Sequence, residues 1–237
     1  MSSAIEKLGL SFQKAVWSKR ADSWDHADNP GLGKVVSAVL DHASPDSTTV
    51  VLDLGCGSGQ LSLPLSREAK SVLAVDISPK MIQLLQNKVT SSGIENLSTR
   101  VASIQELDYQ PESFDLVVSN YALHHLSDDQ KKWAVGRAYQ WLKPGGRIVF
   151  GDMMFGRGSS KQDREIIASK VSLMLRKGPG GWWRIAKNSV RYLVRVQEKP
   201  ISREAWERLF QEAGFAQVGS ESIVAEAAIV FGVKPLR

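Results

Sequence analysis

Val50-Val51-Leu52-Asp53-Leu54-Gly55-Cys56-Gly57-Ser58-Gly59 runs an apolar, strand-like stretch into three glycines at alternate positions, followed by a helical pattern starting near Gln60. Glycine has no Cβ, so this spacing lets the backbone bend tightly and lets a ligand lie directly on the main chain. Strand, glycine turn and helix in that order belong to doubly wound α/β sheets, whose ligands bind beyond the carboxyl ends of the strands.

Two nucleotide-binding patterns fail at this loop. A dinucleotide fingerprint needs its third glycine three residues after the second, where Gln60 stands, and a phosphate loop needs Gly-Lys and then Ser or Thr, where Gly59-Gln60-Leu61 stands. Asp53, two positions before Gly55, disfavours a nearby pyrophosphate and suits a cofactor with cationic groups and no phosphate, such as S-adenosylmethionine. Asp76 follows Gly55 by 21 residues and ends a second strand-like run, the spacing at which doubly wound folds place an acid on the ribose hydroxyls. It could instead cap the following helix, although Ser78 already offers that cap ahead of Pro79 at the first helical position.

The surrounding chain supports such a sheet. TVVLDLG, SVLAVDI, STRVASI, FDLVVSN and GRIVFGD alternate with helical stretches or loops between Thr48 and Phe155, as βαβ units around a parallel sheet require. A further helix starts at Ser202 and stops at Gly214, and FAQVGSESIV and AAIVFGV follow as antiparallel neighbours at the sheet edge. The expected fold is α/β and Rossmann-like: a mostly parallel seven-stranded sheet with helices on both faces and a helical cap. Its divisions are an N-terminal helical arm over 1–47, an α/β core over 48–156, a basic helical insertion over 157–200, and a C-terminal return over 201–237.

Charge is concentrated in one of these parts. Residues 157–200 carry eleven basic and three acidic side chains, a net of +8, which leaves −3 for the rest of a chain whose total is +5. Arg184, Lys187, Arg191 and Arg195 share one helix face, with Ala186, Val190, Leu193 and Val194 largely on another, behind Trp182 and Trp183. Three uses stay open: a cap with a solvated basic face, attraction of an anionic or membrane-associated substrate with transient membrane-surface contact, or RNA binding. The RNA reading ranks last, because residues 1–47 are too short and irregular for an added recognition module.

A single cysteine, Cys56, excludes a disulfide framework, a cysteine-based zinc site and a radical-type iron–sulfur cluster, and no metal is expected. No run of 18 apolar residues exists, and MSSAIEKLGL carries an acid where a secretory signal needs an apolar core, so a cytoplasmic protein is expected.

DLGCGSG, AVDIS, FDLVVSNYALHHL and LKPGGRIVF together resemble the class I S-adenosylmethionine-dependent methyltransferases, in style nearest the ubiquinone/menaquinone C-methyltransferase-like group. REAWERLFQEAGF extends the resemblance weakly. The resemblance implies S-adenosylmethionine as methyl donor, with Asp53 and the backbone at Gly55, Cys56 and Gly57 on its methionine end. It further implies Asp76 on the ribose, Ile77 packed on the adenine, and Ser103 and Ile104 at the adenine edge. Ser103 departs from the family, which often carries Asp there; a hydroxyl accepts from the exocyclic amine less strongly than a carboxylate. Asn120 would face the sulfonium region or simply serve the turn. Cys56 reads as a small packing residue.

Methyl transfer from a sulfonium gains much of its rate from positioning and desolvation, and needs a general base only when the acceptor must lose a proton. His124 and His125, on the turn after the fourth strand, are candidate bases; one can point into the crevice while the other caps or packs against the next helix. Tyr121 is a candidate for lining the acceptor pocket, as is His26 beside Trp24. An arm bearing Phe12, Trp17 and Trp24 would either fold over the cofactor, as in this family, or form a helix pinned by its aromatics. Amine methylation of adenine or glutamine is argued against by Ser119-Asn120-Tyr121-Ala122 where relatives carry Asn-Pro-Pro-Tyr, and cytosine C5 methylation by the absence of a cysteine outside the loop. The expected function is methylation of a small organic or lipid-like molecule at oxygen or carbon; the alternatives are an RNA methyltransferase using the basic insertion and a non-catalytic cofactor-binding protein of the same fold.

Overall fold

A computed structural model of the chain describes residues 14–16, 18–19, 30–156, 164, 168, 172 and 199–236. Seven strands, β1 (Val50–Leu54), β2 (Ser71–Asp76), β3 (Leu97–Val101), β4 (Phe114–Asn120), β5 (Leu142–Met153), β6 (Ala216–Val224) and β7 (Ala227–Val233), form one sheet in the order β3-β2-β1-β4-β5-β7-β6. The first five are parallel, while β7 runs antiparallel to both β5 and β6. Strand order reverses between β1 and β4, so the carboxyl ends of these two strands open a crevice at the switch point.

Among the described residues five helices cover the sheet: α1 (Pro30–Ala43), α2 (Ser62–Ser66), α3 (Pro79–Ser91), α4 (Asp128–Trp141) and α5 (Arg203–Ala213). Val35 and Val39 of α1, Leu65 of α2 and Ile82 and Leu85 of α3 bury one face with Val51, Val118 and Val149 of the strands. Ala134, Val135, Ala138 and Trp141 of α4 and Trp206 and Phe210 of α5 bury the other against Leu52, Val117, Ile148 and Phe150. Alternate residues of β1 and β4 therefore meet two separate cores, which is why both strands read as near-continuous apolar runs.

Helix ends follow local chemistry. Ser78 Oγ accepts from Met81 N at 3.3 Å to start α3, Ser127 and Gln130 form a reciprocal capping box on α4, and Gly214 closes α5 at φ +100°. The helix after the glycine turn starts at Ser62, near Gln60 as the sequence suggested, and lasts five residues. Gly57 and Gly59 sit at φ +52° and +97°, outside the right-handed helical region, so the helical pattern begins only with the Leu63 N–H donating to Gly59 O at 3.0 Å.

Most of the basic insertion lies outside the described residues, including Trp182, Trp183 and the Arg184-to-Arg195 face, as do Phe12, Trp17, Trp24 and His26 of the arm. Of the arm, Ser18 Oγ meets Ser78 Oγ at 3.0 Å, at the root of α3.

Candidate active site

A cleft opens at the switch point. The loop after β1, the end of β2, the turn after β3 and the end of β4 build its wall, and Asp53, Gly55, Cys56, Gly57, Asp76, Ile77, Ser103, Ile104 and Asn120 all line it. Tyr121 and His125 line it too, whereas His124 is buried behind them.

The glycine loop is pinned from below: the N–H groups of Gly55 and Cys56 both donate to Val75 O, at 2.8 and 2.9 Å. Gly55 sits at φ +72°, and a Cβ on it would stand 2.3 Å from Ala122 Cβ, so the close approach of this loop to the turn after β4 requires glycine. Cys56 is buried; burial, with the charges of Asp53 and Asp76, raises its thiol pKa and keeps it protonated. That chemistry suits packing rather than nucleophilic attack.

Asp53 is 1% exposed. Its Oδ2 accepts from Ser62 Oγ at 2.5 Å, while Oδ1, buried in the cleft wall, has no hydrogen-bond partner among the described residues. Burial pushes the carboxyl up to about 7; the Ser62 bond opposes this, and the charge of Asp76 adds to it. A buried acceptor left open in this way suits a cationic group, which favours the ionised form.

Asp76 bridges two backbone segments, with Oδ2 accepting from Gly57 N at 2.9 Å and Oδ1 from Ser78 N at 2.8 Å. Burial raises its pKa against these two bonds. Each oxygen has two acceptor sites, so both remain able to meet a vicinal diol. The helix cap is Ser78, which frees Asp76 from that duty.

Ser103 begins a 3₁₀ turn over Ile104–Glu106, held by its N–H donating to Glu106 Oε2 at 3.0 Å. Ile104 joins Ile77 and Met81 as apolar lining of the cleft. Asn120 Oδ1 is buried without a partner, close against Gly151, where a Cβ would come within 2.9 Å. Tyr121 adopts φ +51°, its N–H donating to Gly151 O at 2.8 Å, and burial together with Glu226 and Asp152 raises its hydroxyl pKa. A phenol held protonated serves as a hydrogen-bond donor, not as a base.

S-adenosylmethionine fits these residues. An open carboxylate oxygen suits an ammonium, a second carboxylate with spare acceptor sites suits a diol, and an apolar flank suits a planar base. Sequence reasoning missed Ser62, which orients Asp53 from nine residues away, and Asp152 at the end of β5, which grips His124. A lone acid in the apolar run Ile148-Val149-Phe150-Gly151-Asp152-Met153 was the available signal for the latter. Among the described residues, no group of three or more His, Cys, Asp or Glu could hold a metal.

Fold and cleft define a class I S-adenosylmethionine-dependent methyltransferase, and the chain belongs to this family. A methyltransferase domain family matches residues 51–146. An uncharacterized methyltransferase of Bacillus thuringiensis (strain Al Hakam) is 33% identical over 161 residues, 65% of this chain and 71% of that protein. The ubiquinone biosynthesis O-methyltransferase of Xylella fastidiosa is 32% identical over 157 residues, 62% of this chain and 63% of that protein. Haemonchus contortus phosphoethanolamine N-methyltransferase 2, solved with S-adenosyl-L-methionine, shares the fold at a TM-score of 0.65 and 19% identity, over 84% of this chain and 52% of that one. The chain spans between 54% and 66% of the length of several other curated methyltransferases that it matches.

Proposed function

We propose that this chain methylates a small organic or lipid-like acceptor, at oxygen or carbon, in the cleft between the carboxyl ends of β1 and β4. The observation that carries the reading is the buried, unpartnered Oδ1 of Asp53 beside the positive-φ glycine loop. When bound, S-adenosylmethionine supplies a methyl group already activated by a sulfonium. Asp53 accepts from its ammonium group, with the backbone of Gly55, Cys56 and Gly57 alongside. Asp76 accepts from the ribose diol; Ile77 and Ile104 flank the adenine, and Ser103 meets its edge. Asn120 turns its amide toward the sulfonium region. His125, on the cleft wall, takes the acceptor's proton where one must leave, and the protonated Tyr121 hydroxyl donates to the acceptor. His124 cannot serve as that base from its buried position behind the wall.

The likeness to a ubiquinone biosynthesis O-methyltransferase supports an oxygen acceptor with lipid-like character. The basic insertion, net +8, would then draw an anionic or membrane-associated acceptor toward the cleft. Among the described residues nothing favours RNA, and no helix there is long and apolar enough to cross a membrane.

The test is transfer of labelled methyl by the full chain to three acceptor pools: a lipid extract containing phenols and catechols, a polar metabolite extract containing phosphoethanolamine, and bulk RNA. Label in an oxygen or carbon product of either extract is expected. Label in RNA alone, or no binding of S-adenosylmethionine at millimolar concentration, overturns the reading.

A further inference from the structure

The two adjacent histidines after β4 have different surroundings. The His124 ring lies between two rings of the cleft wall: 4.0 Å from His125, tilted by 48°, and 6.4 Å from Tyr121, nearly perpendicular at 83°. One carboxylate grips it twice. Asp152 Oδ2 accepts from the His124 backbone N–H at 2.8 Å, and Asp152 Oδ1 meets ring Nδ1 at 2.5 Å. An ionised carboxylate can only accept, so Nδ1 carries the proton and the tautomer is set.

Asp152 is itself immobilised, 1% exposed and accepting also from Met153 N at 2.7 Å. The His124 carbonyl accepts from Lys199 N at 2.6 Å, and the buried Lys131 Nζ donates to Leu126 O and Lys199 O at 2.6 Å each. The backbone N–H, backbone C=O and ring Nδ1 of His124 are thus all anchored, one residue from the candidate base. Burying a carboxylate is costly unless hydrogen bonds offset the lost hydration, and here three of them converge on its two oxygens.

We propose that Asp152 and His124 are positioning residues: Asp152 locks His124, and the locked ring fixes the angle at which His125 faces the acceptor. The inference rests on the functional reading above only for what His125 faces.

The test uses the full chain with S-adenosylhomocysteine as probe and two variants. Asp152→Asn keeps the side-chain shape but exchanges one acceptor oxygen for an amide donor; His124→Phe keeps a ring and removes Nδ1–H. The sequence holds four histidines, so their ring signals can be assigned by nitrogen–proton correlation. In the parent chain His124 is expected as a single Nδ1–H tautomer and His125 as one sharp set of signals. In each variant the His125 signals are expected to split or broaden, while affinity for S-adenosylhomocysteine stays within about threefold, under 1 kcal/mol. A pair that merely supported the fold would lower the melting temperature and leave His125 single and sharp, and that result overturns the proposal. If one variant does not fold, the other decides. If the parent chain fails to bind S-adenosylhomocysteine, the methyltransferase reading falls, and the same ring spectra of the free protein still decide whether the pair orders His125.

Discussion

Affinity for S-adenosylmethionine should rise with pH through the neutral range, because Asp53 must be ionised to meet an ammonium group. Burial holds its carboxyl at about 7 in the free protein. On that value about one tenth of the molecules carry the carboxylate at pH 6 and about three quarters at pH 7.5. The dissociation constant should therefore fall about eightfold across this interval, roughly 1.2 kcal/mol, while the ligand amine stays mainly protonated. Calorimetry at pH 6 in two buffers of different ionisation enthalpy should show close to one proton released per ligand bound. Asp53→Asn should abolish both the slope and the proton release, and weaken binding at pH 7.5 by about 1–3 kcal/mol, the loss of a charged hydrogen bond. A flat pH profile in the parent chain, or an unchanged slope in the variant, would refute the reasoning.

The same group makes free-protein stability depend on pH in the opposite sense. Its folded pKa lies above the ordinary 3.8, so its stabilising contribution is full below that value and is lost as pH rises toward about 7; thermal melts without ligand should show Asp53→Asn overtaking the parent chain above neutral pH. Asp76→Ala should weaken cofactor binding by ~1–3 kcal/mol in calorimetry and loosen the loop whose Gly57 N–H it accepts. Gly55→Ala should destabilise the fold in urea by at least about 2 kcal/mol, since it combines left-handed backbone strain with a clash at Ala122. Phe210→Ala, which empties the centre of the core between α5 and β5, should cost about 3–5 kcal/mol in the same assay and leave cofactor affinity per folded molecule unchanged.

Much of the fold was legible because its signals are local. Ser78-Pro79 starts α3 and Gly214 ends α5 where capping chemistry says they should, and the two C-terminal runs pair antiparallel as their separation by only two residues requires. The start of α2 was legible only as lying near Gln60, because Gly59 takes a left-handed conformation, which no apolar periodicity records. Every cofactor candidate lines one cleft, but Ser62, which tunes Asp53, and Asp152, which grips His124 behind that cleft, are brought there by contacts between separate elements that no spacing rule reports.

By itself the chain's order of residues determined the architecture and the class of ligand, since a strand, three glycines and two acids at set distances leave a doubly wound sheet few alternatives. Tertiary structure alone decided which atoms are left open and which are already engaged. Asp53 keeps a bare oxygen in the cleft while Asp76 bridges two N–H groups, and His125 reaches the wall while His124 turns inward to a buried carboxylate. Adjacent residues on a short turn point in different directions, and the packing of β5 beneath that turn selects which of the two lines the cleft.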